Sequence, residues 1–108
     1  MVRLASLPEN YFNNSKFKKK FVDSNNKEIG NICVRHFKGS YEPYKIYTLI
    51  KCELYLPDEC KHSSSYNYSF SIDYNENMSL DEFEIEYDKI TRKWTKIIEI
   101  ILNDVEIL

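Results

Sequence analysis

Apolar positions recur along this chain with two different periods, and the change between them falls near residue 79. From Tyr44 to Leu56 the period is two. Tyr44, Ile46, Thr48, Ile50, Cys52, Leu54 and Leu56 share one face, and Lys45, Lys51 and Glu53 share the other, the pattern of a half-buried strand. Tyr66, Tyr68, Phe70, Ile72 and Tyr74 alternate with Asn67, Ser69, Ser71 and Asp73 and predict a second strand. Beyond Ser79 the step lengthens. Phe83, Tyr87, Ile90, Trp94, Ile97, Ile101, Val105 and Leu108 follow at intervals of three and four, one face of a helix.

The helix start carries its own signature. Ser79 is an N-cap whose hydroxyl can accept from a free first-turn N–H, and Glu82 can reach back to the Ser79 N–H, completing a capping box. Met78 and Phe83 flank it as a hydrophobic staple. Residues 81–88 also alternate with period two, so a strand competes there. Helix is preferred, because glutamate is poor in strands and the capping box is complete.

The first part of the chain is less regular. Residues 1–15 read as an irregular segment with Tyr11 and Phe12 anchored on the core. Residues 16–22 fit strand or helix, since Phe17 and Phe21 share a face in both. Ile32 and Val34 mark a further strand within 28–37. The polar run Ser24–Lys27 suits a hairpin turn, because asparagine tolerates left-handed backbone. Thirteen extended residues span about 43 Å, and a helix from Leu80 to Leu102 about 34 Å, so one can cover most of the other. The expected architecture is α+β: one domain over 1–108, with three to four antiparallel strands over 16–74 and a C-terminal helix over 79–108 packed on one sheet face.

Composition narrows the function classes. Of the 108 residues, 43% are hydrophobic and 30% charged, which is a globular balance. The net charge of −2 offers no general attraction to nucleic acid or anionic membrane. No segment is long and apolar enough to span a bilayer, and the N-terminus lacks the apolar core of a secretory signal. The three cysteines are an odd number, arguing against a closed disulfide framework. These features predict a cytoplasmic protein with reduced thiols. Tyrosine, asparagine, isoleucine and lysine are abundant and have AT-rich codons, a hint of an AT-rich genome or mobile element.

Candidate chemistry is sparse. Cys33, His36, Cys52, Cys60 and His62 match no zinc-site spacing, and on the strand reading Cys33 and His36 point to opposite faces, so no metal is expected. No cysteine precedes the helix, and neither histidine lies in a nucleophile motif. Gly30 and Gly39 belong to no phosphate-binding loop. The expected catalytic, cofactor and metal residues are therefore none, and the chain is not expected to be an enzyme.

Two surfaces suggest partner binding instead. Asp81, Glu84 and Asp88 form an outward acidic stripe on the helix, followed by basic residues from Lys89 to Lys96. Tyr47 and Tyr55 stand on the polar face of the long strand, where an exposed aromatic makes a good anchor. The expected function is a protein-binding inhibitor or adaptor. Its most specific form is a bacterial immunity protein that neutralises a toxin, such as a nuclease, by stoichiometric binding. Small size, acidity and AT-rich composition are shared with that class. One alternative is a phage- or mobile-element-encoded inhibitor of a host defence system. Another is a nucleic-acid-binding module using Lys16, Lys18, Lys19 and Lys20, extended by Arg35 and Lys38, with Phe17, Phe21 and exposed tyrosines stacking on bases. The acidic total disfavours it. Strand edges also permit a homodimer.

Overall fold

The computed structural model describes residues 2–38, 46–56, 67–74, 78–103 and 106–107. Two short 3-10 turns, Leu4–Ser6 and Tyr11–Asn13, precede strands β1 (Lys19–Val22), β2 (Glu28–Lys38), β3 (Ile46–Tyr55) and β4 (Asn67–Tyr74). Helix α1 (Leu80–Leu102) and a two-residue strand β5 (Glu106–Ile107) follow. The strands form one antiparallel sheet in the order β4-β3-β2-β1-β5, so the α+β architecture holds.

The hairpin between β1 and β2 is built by side-chain chemistry. The Asp23 carboxylate accepts from the backbone N–H groups of Asn25 and Lys27, at 2.9 and 3.0 Å, and Asn26 adopts φ 64°. Asparagine takes that left-handed conformation at low cost. In β3 the alternation sorts side chains as expected. Thr48, Ile50, Cys52 and Leu54 are buried under α1, while Tyr47, Leu49, Lys51, Glu53 and Tyr55 are half-buried on the opposite face. Ile50 aligns with Val34 on one side and Ile72 on the other, and Cys52 with Ile32 and Phe70. The buried layer beneath the helix therefore runs across β2 and β3, and Ile72 and Phe70 on β4 stay exposed at its margin.

The helix begins as its sequence signature requires. Ser79 is the N-cap, and its hydroxyl accepts from the Glu82 N–H at 3.2 Å. Residues 81–88 are helical, which resolves the competing strand reading. Phe83, Tyr87, Thr91, Trp94 and Ile98 are its buried side chains. That line differs from the expected stripe in its second half. Ile98 is fully buried, whereas Ile101 is 42% exposed and Ile90 and Ile97 only flank the core. The steps of four between 83, 87 and 91 carry the contact line to Ile98, leaving Ile90 and Ile97 on the side towards β4.

The helix also stops earlier than the expected 79–108. Asn103 takes φ 66° and its N–H donates to the Glu99 carbonyl at 2.9 Å, a left-handed cap. Ile107 and Glu106 then pair with Phe21 and Val22 along the edge of β1. At the other end of α1, the Leu4 N–H donates to the Met78 carbonyl at 3.0 Å and the Leu80 N–H to the Val2 carbonyl at 2.7 Å. This docking brings Phe12 against Phe83 and Phe17, with ring centroids 4.9 and 4.8 Å apart. Phe12 is the anchor expected of the opening segment, at 1% exposure, with Tyr11 packed against the core beside it.

Candidate functional site

Helix α1 and the N-terminal turns cover one face of the sheet. Alternation along β1, β2 and β3 builds the other face from polar and aromatic side chains. In β2, Ile32, Val34 and His36 are buried towards the helix, and Asn31, Cys33, Arg35 and Phe37 stand on the opposite side. Phe37 and Tyr47 are register partners, and their rings stack with centroids 5.2 Å apart at 27°. Phe37 remains 44% exposed. Further along the ladder, from Arg35 towards Glu28, lies a shallow groove of about 530 Å³ lined by Lys18, Lys19, Lys20, Arg35, Lys51, Glu28 and Glu53 among others.

Hydrogen bonds fix the far end of that face. The Asn31 amide donates to the Tyr55 hydroxyl at 2.7 Å, and the Tyr55 hydroxyl donates to Glu53 Oε2 at 2.8 Å. Lys51 Nζ sits 3.0 Å from Glu53 Oε1. The Tyr55 hydrogen bond, then Lys51, hold the Glu53 carboxyl below the usual carboxylate range. Partial burial and the Glu53 acceptor push the Tyr55 phenol up. Tyr55 is thus a positioned element of the sheet surface, and Tyr47, stacked on Phe37, is the freer aromatic.

The five expected partner-binding residues are divided between two sides of the molecule. Tyr47 and Tyr55 lie on the uncovered sheet face. Asp81, Glu84 and Asp88 lie on the helix that packs against the other face. Asp81 and Asp88 are exposed, and Glu84 is tied to Lys16 by an ion pair of 2.6 Å. The acidic stripe therefore carries a cation from within the chain, which sequence spacing does not reveal.

The lysine run is divided in the same way. Lys16 faces Glu84, and Lys19 Nζ lies 5.8 Å from the Tyr87 ring centroid on the helix side. Lys18 and Lys20 alternate with Phe17, Lys19 and Phe21 towards the uncovered face, and all three lysines border its groove. Phe17 and Phe21 do not serve as base-stacking aromatics: they are 1% and 0% exposed, because the strand turns both into the core. Phe37 is an exposed aromatic ring of the sheet instead. Its signal was the alternation of β2, but the strand register that places it on Tyr47 is a tertiary property.

Cys33 is half-buried on the uncovered face and His36 is buried on the other, as the strand reading expects. His36 Nδ1 lies 2.7 Å from the Thr48 hydroxyl across β2 and β3. Burial pushes the Cys52 thiol up to about 12, so it is protonated at neutral pH and packs as a small hydrophobe. Cys60 and His62 lie outside the described residues. Among the described residues, no group of three His, Cys, Asp or Glu side chains is placed to hold a metal ion.

No family model, curated protein or solved structure matches this chain. Among the described residues, no helix is long and apolar enough to cross a membrane.

Proposed function

We propose that this chain is a protein-binding inhibitor or adaptor that docks through its uncovered sheet face. The observation carrying the reading is the Phe37–Tyr47 stack, an aromatic pair with Phe37 44% exposed near one end of the β2–β3 ladder. A tyrosine or phenylalanine held by a sheet offers contact area at small entropy cost, and aromatic anchors of this kind dominate interface energetics. The charges around it are mixed. Lys18, Lys20 and Arg35 are cations, Lys51 is neutralised by Glu53, and Glu28 adds a carboxylate. Such a face selects a partner with an acidic but not uniformly anionic rim.

Within this class, small size and a net charge of −2 support the more specific proposal of a stoichiometric toxin inhibitor, of the immunity type or encoded by a mobile element. A second reading has one observation in its favour. Lys18, Lys20 and Arg35 share the face with the aromatic pair, the combination a sheet uses to stack bases and hold phosphates. The carboxylates of Glu28 and Glu53 in the same groove oppose phosphate, so protein is the favoured partner.

The test is capture from nuclease-treated host lysate with tagged wild type and a Phe37→Ser/Tyr47→Ser variant. A protein retained by the wild type at stoichiometric yield and lost with the variant supports the proposal. Retention by both removes this face from the account. Steeply salt-dependent binding of single-stranded nucleic acid by the purified chain would favour the second reading.

A further inference from the structure

Where the helix contact line passes from Tyr87 to Ile98, Ile90 and Ile97 are left on the flank that faces β4. Across from them stand Phe70 and Ile72, which are 50% and 38% exposed although they alternate onto the helix side of the sheet. Between the two elements runs an apolar groove of about 240 Å³. Its lining includes Phe70, Ile72, Ile90, Trp94, Ile97 and Lys93. Phe70 meets Trp94 edge-on, with centroids 5.3 Å apart. The Trp94 indole N–H is buried and has no acceptor among the described residues. β4 is the outermost of the described strands on this side, so its outer backbone edge borders the groove.

We propose that this groove and the β4 edge together form a second docking site, which takes an extended acidic–apolar segment of a partner protein as an added strand. Strand addition suits the geometry. The main chain of such a segment would pair with β4, and alternate side chains would enter between β4 and α1. The charge pattern sets the sign of the partner. Arg92, Lys93 and Lys96 are exposed on this half of α1 with no acidic residue between them, while Lys89 is paired with Glu86 at 3.3 Å. Lys93 is at the groove itself. A carboxylate on a groove-facing side chain meets that cation, and its neighbours two residues away fill the apolar space. A second copy of this chain is disfavoured by the same charges. A sheet continued through a two-fold axis normal to it would set two basic helix flanks against each other.

This site lies on the helix side, apart from the face assigned above, and it has a private reporter. Trp94 is the only tryptophan of the chain, so intrinsic fluorescence reads the groove and not the Phe37–Tyr47 face. The probe is a capped seven-residue peptide whose alternate side chains are isoleucine, glutamate and isoleucine, separated by threonines. Titration is expected to shift Trp94 emission saturably. Lys93→Glu, an exposed substitution, is expected to weaken binding by about tenfold. Replacing the peptide's glutamate by lysine should restore binding to that variant. A peptide N-methylated along its pairing edge should not bind.

The proposal is overturned by no emission change at millimolar peptide, equal binding of the N-methylated peptide, no effect of Lys93→Glu, or a response to octanoate in place of the peptide. The last would make the groove a site for a small amphiphile. A dimer in sedimentation that Phe70→Glu dissolves would also overturn it, in favour of a second copy. None of these measurements involves Phe37 or Tyr47, so failure here leaves the sheet-face reading standing, and the reverse holds.

Discussion

Phe37 and Tyr47 face each other across β2 and β3 on the side of the sheet that the helix leaves uncovered, with their rings stacked 5.2 Å apart. Neither belongs to the buried core. A cross-strand aromatic pair at such a site adds about 0.2–1 kcal/mol to stability. Replacing Phe37 by serine is therefore expected to lower unfolding free energy by no more than about 1 kcal/mol. Urea unfolding of the two proteins checks this. A much larger loss would mean that the pair serves the fold rather than a partner.

The acidic stripe gives a contrasting expectation. Asp81 and Asp88 are exposed on α1, and Glu84 is engaged by Lys16, all on the far side of the molecule from Tyr47. Charge reversal at the three positions together should leave partner capture through the sheet face unchanged. It should cost about 1 kcal/mol of stability, because Asp81 lies in the first helical turn, where negative charge is favourable, and reversal of Glu84 sets a cation against Lys16. Parallel capture and thermal unfolding of the triple variant separate the two effects.

Gly30 sits where β2 passes beneath Ile98. A Cβ at this position would lie 2.6 Å from the Glu53 carbonyl oxygen and 3.3 Å from Ile98 Cδ1. The nearer atom is backbone in a paired strand and cannot turn aside. Gly30→Ala is expected to destabilise by about 1–3 kcal/mol, in the range of overpacked cores. Denaturant midpoints measure it, and a neutral result would contradict the close approach of β2 and β3 at this point.

Cys52 predicts how stability varies with alkaline pH. Burial raises its folded pKa to about 12 from an ordinary 9.0. Burial also pushes the Tyr87 phenol up from 10.0. Both groups are neutral when protonated, so the native state binds these protons more tightly than the unfolded chain does. Their contribution is complete below pH 9 and is lost as pH rises from there towards 12, by at most about 1.4 kcal/mol per pH unit for each group. Urea unfolding at neutral pH and at pH 10.5 should show the loss, and Cys52→Ala should reduce it. A flat profile would contradict the burial of the thiol.

Local chemistry was the legible part of the fold. The Ser79 cap, the Asp23–Asn26 turn and the alternation of β3 each follow from residues close in sequence, and each appears where those residues place it. What stayed hidden depends on contacts between distant elements. Ile98 rather than Ile101 lies deepest because the sheet beneath α1, with Gly30 at its low point, sets where the helix contact line ends. The C-terminal residues leave the helix because Asn103 takes a left-handed turn and β1 offers an edge to Ile107. Among the expected surface residues, strand period placed Tyr47 and Tyr55 on one face. Only register brings Phe37 to Tyr47, and only tertiary docking brings Lys16 to Glu84.

On the proposed function, a protein partner covers the sheet face that α1 leaves open. Site-specific photo-crosslinking in the native host tests it most directly, with a benzophenone side chain at Tyr47 in one variant and at Asp88 in another. A discrete protein adduct is expected from position 47 and none from position 88. An adduct at 88 alone, or a nucleic-acid adduct at 47, would contradict it.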